Sequence, residues 1–166
     1  MKTYNKSNLI MLVTVLSSFA FASIAQAQSA QQRDEADINA VLDGYHQAAA
    51  EGDWQGYFSL MSDDGVFLGS DASERWEKEE FRAYAAGRSG WTYTPQKRNI
   101  TITPDRDSAW FDEILLSQSY GTSRGTGVLI RTGQGWKISQ YSLSFPIPNP
   151  LARKITDEII EFEAGR

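Results

Sequence analysis

The hydrophobic period of this chain changes near Trp91: apolar residues recur mainly every three or four positions before it and every two from there to about residue 145. A helical half followed by a strand half packs helices on a sheet, the α+β class, rather than forming an alternating α/β chain or a bundle. Over residues 34–51, Ile38, Val41, Leu42, Tyr45 and Ala49 make one apolar stripe, and Gly52 ends the helix they define. Asp53 is placed to cap a second, short helix carrying Trp54, Tyr57, Phe58 and Met61 towards the same core. Asp63, Asp64 and Gly65 then read as a turn into a short strand at 66–68. A third helix follows over 77–86, with Phe81 and Tyr84 on one side, and glycines at 87 and 90 break it.

In the second half, residues 99–103, 108–117, 124–132 and 136–145 are β-rich. The turns at 104–107 and 133–135 are short enough to join antiparallel neighbours, so a meander is predicted. Asn149, as cap, and Pro150 mark the start of a last helix, whose Ile155, Ile159 and Phe162 form a stripe ending at Gly165. No internal repeat or low-complexity linker divides the chain.

Lys2 and Lys6 precede an apolar run at 9–21, and Ala25, Gln26 and Ala27 follow it with the small-x-small pattern of a cleavage site. The run has 13 residues, short of the ~20 that span a bilayer. Residues 1–27 therefore read as a cleaved signal peptide, with one domain over 28–149 and a helical extension over 150–166. The expected location is periplasmic or secreted, with no membrane attachment after cleavage. Losing Lys2 and Lys6 takes the net charge from −5 to −7, which disfavours nucleic acid and anionic lipid as partners. With no cysteine and one histidine, disulfides, thiol nucleophiles and zinc-thiolate sites are excluded, and no metal or other cofactor is expected.

The element order resembles the cone-shaped, cystatin-like fold of nuclear transport factor 2 and the SnoaL-like proteins. Residues 45–69, YHQAAAEGDWQGYFSLMSDDGVFLG, are similar to the opening signature of that superfamily, and residues 135–149, GWKISQYSLSFPIPN, to its closing strand. The resemblance covers roughly residues 34–149. It implies helices packed on a curved antiparallel sheet around a pocket for a small, mostly apolar molecule. Isomerases, polyketide cyclases, dehydratases and members that only bind or assemble share this fold, so it does not set the chemistry. Beside ketosteroid isomerase, Tyr45 falls where the oxyanion tyrosine belongs, but Gly69 stands where the base belongs and the nearest carboxylate is Asp71. Residues 125–130 supply no second carboxyl, so that mechanism is not expected.

His46 lies at the edge of the first apolar stripe, either as an acid–base group of the pocket or as a hydrogen-bonded boundary histidine. In 108–117, alternation sends Ala109, Phe111, Glu113 and Leu115 to one face and Trp110, Asp112, Ile114 and Leu116 to the other. One acid then enters an apolar wall, where desolvation would raise its pKa. Glu113 is preferred, because Ala109 and Phe111 suit a concave face; the competing reading pairs Glu113 or Asp112 with Arg124 or Arg131. Two apolar faces call for a core on one side and a partner on the other, and the resemblance implies that this partner is a second subunit, hence a homodimer.

Asp71, with Glu74, Arg75 and Trp76, borders the cone mouth as the resemblance places it, and joins His46 and Glu113 as a catalytic candidate. Trp91 and Tyr93 offer an aromatic rim to a flat ligand. Arg124, among Gly121, Gly125 and Gly127, offers a fork to a carboxylate, although those glycines equally mark a bent strand. Gln140 shares a face with Trp136 and Ile138 and is expected in the pocket wall. Tyr45, Trp76, Trp91, Asp112, Arg124 and Gln140 are thus the ligand-binding candidates. No G-x-S-x-G elbow and no dinucleotide or phosphate loop is present.

Two functions stay open. One is an exported protein that holds a small apolar or aromatic molecule, with or without cofactor-free acid–base chemistry of the isomerase, cyclase or dehydratase type. The other is a non-catalytic dimeric accessory or assembly domain with a vestigial pocket. The export reading makes a direct prediction: intact mass of the protein recovered from the periplasm or medium corresponds to a chain beginning near Gln28. A full-length species retained in membranes would refute it.

Overall fold

The computed structural model describes residues 6–165, with side chains at position 26 and from 28 to 165. The signal-peptide reading of residues 1–27 concerns side chains that, Gln26 excepted, lie outside the described residues. Among the described residues, no helix is long and apolar enough to cross a membrane. The elements are α1 (Lys6–Glu51), α2 (Trp54–Ser59), β1 (Met61–Leu68), β2 (Arg75–Glu77), α3 (Lys78–Ala85), β3 (Tyr93–Ile102), β4 (Ser108–Ser117), β5 (Gly121–Thr132), β6 (Gly135–Ser144) and α4 (Asn149–Ala164). The class is the α+β one expected, with one curved six-stranded sheet ordered β2-β1-β6-β5-β4-β3.

The helical elements follow from local chemistry. The predicted helix over 34–51 is the C-terminal part of α1, and its stripe is buried: Ile38, Leu42, Tyr45 and Ala49 all enter the core. Gly52 stops it in the left-handed region, at φ 69°, where a side chain would be strained. Asp53 then accepts a 2.9 Å bond from the Gly56 amide and caps α2. A reciprocal box between Glu77 and Glu80 starts α3.

The meander β3-β4-β5-β6 is antiparallel throughout, with Arg98 opposite Glu113 and Glu113 opposite Gly125. Two features depart from the sequence expectation. Asp63–Gly65 is not a turn before a strand but an irregularity inside β1, where the register slips between Met61 and Val66. β1 also joins β6 in parallel and takes β2 on its other edge, pairings that hydrophobic alternation does not encode.

One face of the sheet, through Phe67, Phe111, Leu129, Trp136, Ile138 and Tyr141, packs on the stripe of α1 and on Tyr57, Phe58 and Phe81. Each such side chain contributes about 1.5–3 kcal/mol by leaving water. Where the α1 stripe begins, the buried Asp34 carboxylate is gripped by Arg131 of β5 and by Arg106 of the β3–β4 turn. Burial pushes this carboxyl up, but the two arginines outweigh that and hold it below its ordinary value. Arg106 reaches it from a left-handed backbone, φ 61°, a conformation that costs a non-glycine residue about 1 kcal/mol or more. The opposite face leaves Trp110 and Leu116 half exposed. No residue of α4 is buried, and its cap is Pro148 rather than Asn149.

Candidate functional site

Among the described residues, two arrangements gather the sequence candidates His46, Glu113, Trp76 and Trp91, and they are separate. The first is a charged network inside the core. Glu113 has no solvent exposure, because alternation in β4 turns it inward with Ala109, Phe111 and Leu115. Its Oε1 accepts bonds from His46 Nε2 at 2.7 Å and the Tyr141 hydroxyl at 2.9 Å, and its Oε2 accepts from Arg98 Nε at 2.8 Å. Arg98 then donates from Nη1 to Asn39 Oδ1 at 2.9 Å and Asp43 Oδ1 at 2.8 Å on α1. Gly125, directly across from Glu113, leaves the space: a Cβ there would overlap the Tyr141 hydroxyl and approach Glu113 Oε1 to 2.9 Å.

The electrostatics follow from that geometry. Burial pushes the Glu113 carboxyl up, as the sequence predicts, but the His46 bond and the charges of His46 and Arg98 outweigh it, so the carboxyl sits below its ordinary value. The expected raised pKa is thereby overturned. As an ionised acceptor, Glu113 makes His46 Nε2 the donor of their bond. Beside it, Tyr45 stacks on Tyr57 at 4.0 Å and shares a hydroxyl–hydroxyl bond with it. Burial pushes the hydroxyls of Tyr45, Tyr57 and Tyr141 far up, so all three remain neutral, with Tyr57 donating to Tyr45 and Tyr141 to Glu113.

The second arrangement is a cavity of about 200 Å³ at the mouth between β1, α3 and the β4–β5 turn. Its walls are Trp76, Tyr84, Trp91, Tyr93, Tyr120 and Phe145, and Phe67 and Phe81 form part of its floor. Glu74 and Ser70 are polar groups in that wall. His46, Glu113, Arg98 and Tyr45 do not line it. The Phe67 ring lies parallel to Tyr141 at 6.0 Å and stacks on Phe81 at 4.1 Å, so a layer of aromatic carbon divides cavity from network.

The sequence candidates distribute accordingly. His46 and Glu113 meet, with Tyr45 beside them, but in the core rather than in the cavity. Trp76 and Trp91 line the cavity. Asp71 sits in the exposed β1–β2 turn, where its Oδ1 accepts bonds from the Ser73 amide and hydroxyl. Asp112 points out of the other sheet face and accepts from Asn99 Nδ2 at 3.0 Å. Arg124 is exposed and stands across from Ile114, hence on that same outer face. Gln140 is a correction. β6 slips by one residue between Ile138 and Gln140, which reverses the alternation, so Tyr141 turns inward and Gln140 outward.

Sequence reasoning missed Arg98 and Tyr141. Arg98 had a signal: starting the strand at 93 instead of 99 puts it opposite Glu113. Tyr141 had none, because the bulge that turns it inward is a tertiary feature. Of the glycines near Arg124, Gly125 makes room for the Tyr141 hydroxyl and Gly127 for the Phe111 ring, while Gly121 stands in open space with φ 68° at the β4–β5 turn. Among the described residues, no cluster of His, Asp and Glu is placed to hold a metal ion.

A family model described as a SnoaL-like domain matches residues 38–148. Solved structures with a similar fold include a DUF3225-family protein from Pectobacterium atrosepticum (22% identity, 68% of this chain and 90% of that one, TM-score 0.59). Another is an NTF2-like protein with a cystatin-like fold from Novosphingobium aromaticivorans (17% identity, 77% and 92%, TM-score 0.62). A provisionally assigned scytalone dehydratase from the same bacterium aligns with 9% identity over 72% and 89% of the two chains, at TM-score 0.63. At these identities the likeness is one of fold. No curated protein matches the chain.

Removing the Glu113 charge breaks its buried pairs with Arg98 and His46 and leaves the guanidinium only the exposed Asp43 carboxylate as an ion-pair partner, so Glu113→Gln is expected to cost about 3–5 kcal/mol and lower the melting temperature sharply. A carboxylate held low in the folded state adds stability above its unfolded pKa, about 4.3, and loses it as pH falls through the folded value. The wild type should therefore lose stability on acidification below about pH 4, and Glu113→Gln should flatten that loss. Melting curves across pH that coincide in shape for both proteins would contradict the ionised network.

Proposed function

Because the chain belongs to the SnoaL-like domain family, we propose that it binds a small, flat, mostly apolar molecule in the aromatic mouth cavity and does no chemistry with its buried His46–Glu113 pair. The observation that carries this reading is the separation of the two features. A general base has to reach the proton it removes and needs a pKa near the working pH. Glu113 lies behind a layer of rings, with its carboxyl lowered and already accepting three bonds.

The cavity, in contrast, has the character of a binding site: concave, walled by aromatic rings and supplied with few polar groups. Its volume of about 200 Å³ is below the ~300 Å³ at which drug-sized pockets begin, which fits a single ring with a short substituent. Trp76 stacks on Tyr84 at 4.6 Å and Tyr120 on Phe145 at 4.7 Å, so the walls present pre-formed flat surfaces. The apolar run at 9–21 and the small-x-small pattern at 25–27 support export, and so binding outside the cytoplasm. The half-exposed Trp110 and Leu116 give a second copy a face to cover, which supports a homodimer as the working form.

Two measurements test the proposal. Benzyl alcohol, as a flat probe, should quench tryptophan fluorescence, and Trp76→Ala and Trp91→Ala should each weaken it by about tenfold, or 1.4 kcal/mol. His46→Gln should leave probe affinity within about twofold at a temperature where it is folded; a large loss there would bring the buried pair back into the site. Light scattering at micromolar concentration should give about twice the monomer mass, and a monomer at every dilution would remove the dimer.

A further inference from the structure

Glu74 is out of place in the wall of the mouth cavity. The surrounding wall is aromatic, and none of its residues is a lysine, arginine or histidine. Among the described residues no cation pairs with Glu74; its Oε2 accepts only a 3.2 Å bond from the Asp71 amide. Arg88, whose guanidinium lies 4.0 Å from the Tyr84 ring centroid, does not line the cavity. Nor does Glu74 simply trail into solvent. Its side chain lies against Gly69, where a Cβ would overlap the carboxylate and come within 2.7 Å of Glu74 Cβ, so the missing side chain at Gly69 makes the seat.

A half-buried carboxylate in an aromatic wall tolerates its position while water reaches it. A neutral ligand that filled the cavity would strip that water and leave a charge without a partner, which is costly. A ligand that brings a positive charge replaces the water with a counter-ion. The ring faces act in the same direction, since each carries a negative quadrupole that attracts a cation and repels an anion. The acidic chain, at net −5, favours approach of a cation from solution.

We propose that the occupant of the cavity is a small organic cation, a quaternary or protonated amine on an apolar body, held by Glu74 as counter-ion and by the faces of Trp76 and Trp91. This rests on the reading of the cavity as the binding site. The volume of about 200 Å³ equals that of roughly seven liquid waters at ~30 Å³ each, enough for one ring bearing a trimethylammonium group.

The experiment uses the purified protein and three probes of one shape family: benzyltrimethylammonium, benzyl alcohol and benzoate, read by tryptophan fluorescence and calorimetry. The cation should bind at least about tenfold tighter than the alcohol, and benzoate weakest. Glu74→Gln should bring cation and alcohol within about twofold of each other, while Glu74→Asp keeps the preference. Raising the ionic strength should weaken the cation and leave the alcohol unchanged, a readout in the wild type that does not depend on any variant folding. Alcohol or benzoate binding as tightly as the cation, or a preference that survives Glu74→Gln, overturns the inference; if Trp76→Ala still weakens the alcohol, the cavity reading stands. If no probe binds, both fall.

Discussion

The carboxylate of Glu113, sealed in the core, accepts bonds from His46 on α1, Arg98 on β3 and Tyr141 on β6, and the arrangement of the sheet depends on it. An ionised carboxylate without water has to find a donor for each oxygen, and here those donors come from three elements far apart in sequence. Each bond fixes a register. A one-residue slip of β4 would turn Glu113 to the outer face and bring Asp112 into the core without partners. Buried ionic groups of this kind add little net stability over an apolar replacement, but losing one partner is expensive. The network therefore selects one packing of α1 against β3, β4 and β6 more than it deepens the fold.

That same network explains why the interior is closed. Tyr45, Tyr57 and Tyr141 fill the space beside Glu113 with hydroxyls turned to one another and to the carboxylate. What remains open lies one aromatic layer further out, where Trp76, Trp91 and Tyr93 are only partly buried. Core and cavity share the Phe67 and Phe81 rings as a common wall, so the core shapes the cavity without lending it a titratable group. In this chain a SnoaL-like fold places its buried acid and histidine in the scaffold and leaves its aromatic cavity at the rim.

A second charged pin stands where the α1 stripe begins. Asp34 holds Arg106 and Arg131 and so ties that helix to the β3–β4 turn and to β5. With the Arg98 contacts to Asn39 and Asp43, these polar contacts space themselves along α1 beside its apolar stripe. The left-handed backbone of Arg106 is what aims its guanidinium at Asp34, so local strain serves a long-range contact.

Local pattern alone determined the helical stripe of Ile38, Leu42 and Tyr45, the Asp53 cap and the placing of Glu113 and Asp112 on opposite faces of β4, because each depends on a period or a neighbour within a few residues. Tertiary structure decided everything that depends on partner choice. It paired β1 with β6 in parallel, and it bulged β6 so that Tyr141 enters and Gln140 leaves. It also gave Glu113 the His46 bond and the guanidinium of Arg98 instead of Arg124 or Arg131, and with these partners a lowered rather than raised carboxyl. Residues 34–51 spell a buried face but not what meets it, since which strand lies opposite is set by chain crossings between residues tens of positions apart. The physical reason is that burial is written in periodicity, whereas the sign of a pKa shift and the mouth of a cavity are written in distances between elements.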